Sequence, residues 1–218
     1  MYKLFILLTL TISLNTLFAQ TVNKLKVFKD DGTETIFFVE DIDKITFVQQ
    51  KLAIGDYYKG GIIFYIDNTG LHGFAAAQSD QSTSAEWGCY QTTISGADGI
   101  EIGTGAQNTI DIENGCTTDG TAADICANLT LNGNSDWFLP SRDELNEMYI
   151  NKSAINATAL LIGGSSFEET EYWSSSESTE ESGNGEILAW LQNFSDGTGN
   201  YYYTDKYINC SVRAVRAF

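Results

Sequence analysis

Asp136-Trp137-Phe138-Leu139-Pro140-Ser141-Arg142-Asp143-Glu144-Leu145 holds the only proline of the 218-residue chain, and no other stretch constrains the fold as much. Proline disfavours helical geometry in the residue before it, so Leu139 is expected to be extended. Ser141 then stands where a helix N-cap belongs, with Glu144 three residues on to reach back to the cap amide. Leu145, Met148 and Tyr149 follow at helical spacing and give that helix an apolar face. The segment reads as a buried aromatic strand ending at a helix start, with Pro140, Ser141 and Glu144 in structural roles.

The N-terminus sets the compartment. Lys3, the apolar run from Leu4 to Leu14 and the Leu17-Phe18-Ala19 end have the order of a secretory signal peptide, residues 1–19. The run is shorter than the roughly 20 apolar residues of a membrane span, and no later stretch reaches that length. No cysteine lies near the expected cleavage point, so lipid attachment there is not expected. An exported chain, secreted or held at the cell surface, is the expectation. All four cysteines, Cys89, Cys116, Cys126 and Cys210, fall in the exported part, and an even count in an oxidising compartment reads as two disulfides in one of three connectivities. Metal binding by these cysteines is disfavoured, since there is no C-x-x-C pair and His72 is the only histidine. The same shortage leaves a catalytic cysteine without a base, and no catalytic residue is assigned.

The formal charge of −17 repels nucleic acid and anionic lipid and tolerates cations such as calcium. Residues 20–52 form a small β unit. Leu25, Val27 and Phe28, an Asp30-Asp31-Gly32 turn and Ile36-Phe37-Phe38-Val39 make a hairpin signal. Asp41 to Phe47 alternates as a third short strand would. Residues 53–218 form the main domain. Strands are expected at 60–67 and 72–77, loops over 79–120, a helix from Thr121 to Leu131, a second over 141–150 and a helical turn or two over 153–162. Late strands follow at 172–177, 186–194, 201–204 and 210–218. Two early strands, two helices and several antiparallel strands make an α+β domain.

Four motifs in this order carry a resemblance: Trp137 to Leu145, then Tyr172-Trp173-Ser174-Ser175-Ser176-Glu177, then Ala189-Trp190, then Val212-Arg213-Ala214-Val215-Arg216. From about Gly55 to Phe218 the chain resembles the domain at the C-terminus of the Legionella collagen-like adhesin, a domain of secreted bacterial proteins. Gly60-Gly61-Ile62-Ile63-Phe64-Tyr65 resembles the versions found in Bacteroidota-type proteins. The resemblance implies a C-type lectin-like fold: two helices with a mixed, mostly antiparallel sheet, loop-rich and pinned by disulfides. It also implies the pairing Cys126–Cys210, which leaves Cys89–Cys116. For function it implies adhesion, or recognition of an extracellular glycan or surface protein. The alternative is a structural or assembly component of a bacterial envelope or fimbrial complex, docked through residues 22–48.

The sugar-binding triplets of the calcium-dependent lectins, Glu-Pro-Asn or Gln-Pro-Asp, are absent, so sugar chemistry does not come with the fold. Candidate oxygen ligands for calcium, the one cofactor considered, lie in the late loops: Glu177, Asp196, Asn200 and Asp205, with Glu180 and Glu181 nearby. Candidate ligand-binding residues are Tyr201, Tyr202 and Tyr203, of which an alternating strand must turn at least one outward, together with Trp190 and Asn193. Trp190 sits in a strand pattern, where core packing is the commoner fate of tryptophan. Arg213 and Arg216 are expected as structural locks, one of them pairing with Glu144 or Asp143.

Overall fold

The computed structural model describes residues 24–28, 34–38, 51–178, 187–197 and 202–218. The chain divides into two compact units, residues 1–50 and 51–218. In the first, β1 (Lys24–Phe28) and β2 (Glu34–Phe38) pair antiparallel, Leu25 opposite Phe37 and Val27 opposite Thr35. The strand expected at 41–47 lies outside the described residues.

The second unit is α+β. Its elements run β3 (Tyr57–Tyr58), β4 (Gly61–Ile66), β5 (Gly73–Ala76), β6 (Ser82–Glu86), α1 (Gly105–Gly115), α2 (Ala122–Ala127), α3 (Arg142–Ile150), α4 (Lys152–Leu161), β7 (Glu171–Glu177), β8 (Leu188–Asn193), β9 (Tyr202–Asp205), β10 (Asn209–Val212) and β11 (Val215–Ala217). The strands build two sheets, in the orders β11-β5-β4-β3 and β6-β10-β7-β8-β9. Among the described residues only the β10–β7 pair is parallel. The last ten residues stitch the sheets together: β10 belongs to the larger, β11 to the smaller, and only Arg213-Ala214 separates them.

Each sheet has its own apolar cluster, and the aromatic junction feeds both. Successive side chains of an extended segment point to opposite faces. Trp137 and Leu139 therefore join Trp87, Ile112, Trp173 and Val212, while Phe138 joins Phe64, Leu145, Met148, Phe194 and Val215. Tyr172 and Trp173 split the same way. Phe138, one residue before Leu139, exchanges two 2.9 Å backbone hydrogen bonds with Val215 in an isolated antiparallel bridge.

Both arginine locks exist, with other partners than expected. The buried Arg213 donates from Nε to Asp80 Oδ1 at 2.6 Å and lies 4.0 Å over the Phe167 ring. Arg216 grips Asp136 with two bonds of 2.8 and 2.7 Å and donates to the Lys59 carbonyl. Neither pairs with Asp143 or Glu144: Asp143 takes Arg142 instead, and Glu144 faces backbone amides.

The 79–120 segment is more regular than its sequence implies, since it contains β6 and α1. Helix α1 turns Asn108, Thr109 and Ile112 inward, and two of these three are polar. Helix α2 ends at Ala127, earlier than expected, and α4 is a full helix. Among the described residues no helix is long and apolar enough to cross a membrane.

Candidate ligand-binding face

The junction around Pro140 is built from polar locks. Ser141 caps α3 and accepts from the Glu144 amide, while the Glu144 side chain accepts from the Ser141 amide at 2.8 Å, a complete capping box. Glu144 reaches further. It also accepts from the Gly103 amide at 2.8 Å and from Gly105, so one fully buried carboxyl ties α3 to the start of α1. Burial outweighs these donors and pushes its pKa up to about 7. A Cβ at Gly105 would collide with this carboxylate, which explains the glycine. The Pro140 carbonyl accepts from the Ser175 amide at 2.7 Å, and Ser176 Oγ accepts from the Arg142 amide. Proline and serine motifs far apart in sequence are thus one joint.

That joint aims Arg142 across β8. Its guanidinium, held by Asp143 at 2.9 Å, lies 5.1 Å over the Trp190 ring. Tyr203 meets the same tryptophan edge-on at 5.4 Å. Trp190 is 2% exposed, so it offers no free face and serves as a support for Tyr203, which is half-buried on β9. Because β9 ends the five-stranded order, its outer edge has no partner strand among the described residues. Tyr202 lies on β9 as well; Tyr201 and Asn200 fall outside the described residues. Asn193 is engaged locally, with Oδ1 accepting from both the amide and the hydroxyl of Ser195.

Of the proposed calcium ligands, the described ones, Glu177, Asp196 and Asp205, are not brought together. Glu177 stands opposite Ala189, and Asn193, three residues before Asp196, stands opposite Glu171 at the other end of β8. Four residues of strand separate the two ends by about 13 Å, far more than ligands of one ion allow. Asp205 lies on β9, beyond β8 and so about 10 Å from β7. Among the described residues no group of three His, Cys, Asp or Glu is placed to hold a metal ion.

Glu177 has a different partner altogether. It is 1% exposed and pairs with Lys206, itself fully buried. The Lys206 ammonium also donates to the Thr92 carbonyl at 2.8 Å and sits 4.4 Å over Trp87, while the Ile94 amide donates to Glu177. Burial raises the Glu177 pKa and Lys206 pulls it back. A carboxylate so enclosed is a structural ion pair, not an open metal ligand.

The structure adds two residues that the sequence reading missed. Tyr90 and Tyr207 are 39% and 46% exposed and meet edge-to-face at 4.9 Å. Each is an isolated tyrosine in a polar loop, with no periodicity to flag it, and only the pairing of the β9–β10 turn with the 87–92 loop reveals them.

Cys89 and Cys116 form the one disulfide among the described residues. Cys126 and Cys210 do not pair as expected; both are free, buried thiols in the larger apolar cluster. Burial pushes the Cys210 thiol up to about 12 and Cys126 higher still. Thiol–disulfide exchange needs the thiolate, and here each sulfur instead packs as a small hydrophobe. A shallow cavity beside α2 is lined by Gln78, Asp80, Gln81, Ile125, Leu129 and Leu131. Asp80 there is already committed to Arg213 and Tyr172.

The joint, the serine strand and the closing arginine pair all lie within residues 76–216, the span that matches the family model of the Lcl C-terminal domain. The chain belongs to the Lcl C-terminal domain family. The match takes in more than half of the chain and three of the four polar locks in full: the capping box, Arg213–Asp80 and Glu177–Lys206. The fourth, Arg216–Asp136, is matched too, apart from the Lys59 carbonyl that supports it. No curated protein matches the chain.

Proposed function

We propose that this Lcl C-terminal domain protein is exported through a cleaved signal peptide, residues 1–19, and acts as a secreted or cell-surface binding module. It recognises an extracellular glycan or surface protein through the loops of a C-type lectin-like domain, in an adhesive role and without catalysis. The observation that carries this reading is the stacked Arg142–Trp190–Tyr203 unit on β8 and β9 of the larger sheet. It holds a tyrosine rigidly beside the late loops, and rigid tyrosines are efficient recognition groups because little entropy is lost on binding. The surrounding chemistry agrees, since the two free thiols are buried and protonated rather than poised as nucleophiles. The test is binding of the mature chain to a glycan array and to intact bacterial and host cell surfaces, with Tyr203→Ala as the variant. Retention on some of these surfaces that weakens in the variant supports the reading; no retention on any of them sinks it.

The second reading, an envelope or fimbrial assembly component, draws on the β1–β2 hairpin. A two-stranded hairpin is marginal alone, and among the described residues β1 and β2 pair only with each other, so a partner strand could extend them. Loss of co-purifying envelope partners on deletion of residues 22–48 would favour it over the first.

A further inference from the structure

We propose that Tyr90 and Tyr207 form a stacking platform for a neutral saccharide, with Asp205 as the hydroxyl acceptor beside it. This rests on the binding-module reading and names its site and ligand class.

Three independent features single the platform out. The first is exposure where burial was available. Two rings 39% and 46% exposed meet edge-to-face at 4.9 Å, and Ile208, next in sequence to Tyr207, is 37% exposed. The second is rigidity. The disulfide ties Cys89 to Cys116 at the end of α1, and the amides of Trp87 and Gly88 both donate to the Lys206 carbonyl, at 3.0 and 3.3 Å. The two loops that carry the tyrosines are thereby joined, and Trp87, three residues before Tyr90, and Lys206, immediately before Tyr207, are sunk in the interior. The third is backbone strain. Cys89 and Gln91, on either side of Tyr90, have φ of +47° and +66° without being glycine. Such conformations are costly and persist where the surrounding structure enforces them, commonly at binding sites.

The chemistry selects the ligand. A pyranose ring has an apolar C–H face and a rim of hydroxyls; a tyrosine has an apolar face and a polar tip. Asp205 stands two residues before Tyr207 at the end of β9 and holds the Tyr207 hydroxyl above its ordinary pKa, and its carboxylate can accept from a sugar hydroxyl next to the ring. A chain of formal charge −17 disfavours sulfated or sialylated glycans. The occupant is therefore an uncharged sugar, and its binding should not depend on salt.

The test uses the mature protein on a panel of uncharged oligosaccharides and their sulfated counterparts, at low and high salt. The expected result is binding to at least one uncharged member, unchanged by salt. Tyr90→Ala and Tyr207→Ala should each weaken it about tenfold, while Tyr90→Phe, which keeps the ring, should stay close to the parent. Thermal melts confirm that the variants fold. Binding that survives both alanine variants overturns the platform while leaving the binding module in place. So does a preference for the sulfated counterparts, or binding that falls as salt rises, since either would make the recognition electrostatic. No binding to any uncharged member also overturns the proposal, and cell-surface retention then judges the wider reading separately.

Discussion

The buried pair Glu177–Lys206 offers the most demanding test of the fold, because both charges are out of water and each depends on the other. Lys206→Met keeps the stem and removes the ammonium. Among the described residues Glu177 then keeps one donor, the Ile94 amide, and the Thr92 carbonyl loses the ammonium. Removing one member of a buried pair costs about 3–5 kcal/mol, since a stranded charge remains. With a urea slope of about 2 kcal/mol per molar, the unfolding midpoint should drop by about 2 M. Trp87, whose ring lies 4.4 Å from the ammonium, reports the transition by fluorescence. The loss should depend on pH. Burial already raises the Glu177 pKa, and without Lys206 it rises further. A group whose folded pKa lies above its unfolded value contributes stability at low pH that is lost as pH rises, so the variant should be hurt more above neutrality than at mildly acidic pH. Adding Glu177→Gln supplies a neutral acceptor for the Ile94 amide, and the double variant should recover most of the loss. A single variant within about 1 kcal/mol of the parent, or a loss identical at both pH values, would refute the buried-pair account.

Three further predictions follow from the same locks. Glu144, with its pKa raised to about 7, holds a proton in the folded state that the unfolded chain has released, so its contribution falls as pH rises from about 4.5 to about 7. Glu144→Gln should flatten that part of the stability–pH profile, and urea midpoints at the two ends of the window check it; unchanged slopes would count against the assignment. The Cys89–Cys116 bridge closes a 27-residue separation, so Cys89→Ala/Cys116→Ala should cost about 3–4 kcal/mol in the chain-entropy estimate, read from the same denaturant curves. Thiol titration should find no reactive cysteine in the native protein and two in denaturant without reductant; none in denaturant would mean that Cys126 and Cys210 are bridged after all.

The parts of the fold legible in the sequence were those governed by short-range rules. The Pro140–Ser141–Glu144 junction declared a cap and a helix within a few positions, and both are present. Helix α1 was illegible for the opposite reason. Its inward face includes Asn108 and Thr109, which face the core because distant groups satisfy them: Asn108 donates to the Gly99 carbonyl and Ser175 Oγ, and Thr109 exchanges bonds with Leu139. Hydrophobic periodicity cannot report a face buried through hydrogen bonds. The charge partners failed in the same way. Arg213 and Asp80 are 133 residues apart and Arg216 and Asp136 are 80 apart, so only topology chooses between these acids and the nearer-looking Glu144.

This failure bears on where a binding site should be sought. The acids that looked like a loop cation site are divided by the register of β7, β8 and β9, and the one most confined, Glu177, is consumed by Lys206. The residues that gave the family its recognisable motifs, Pro140, Ser175, Ser176, Arg213 and Arg216, are likewise spent on joining elements. Residues committed in this way build the scaffold and are not available for a ligand. Specificity should then reside in groups that the scaffold holds without needing them. Tyr90 and Tyr207 have that character. Their loops are anchored through Cys89, Trp87 and Lys206, while their rings lie at the surface. Alanine at either position should therefore leave stability nearly unchanged and act on binding, whereas Lys206→Met acts on stability first. Finding a large stability loss in Tyr90→Ala would place that ring in the scaffold and return the search to Tyr203 and the β9 edge.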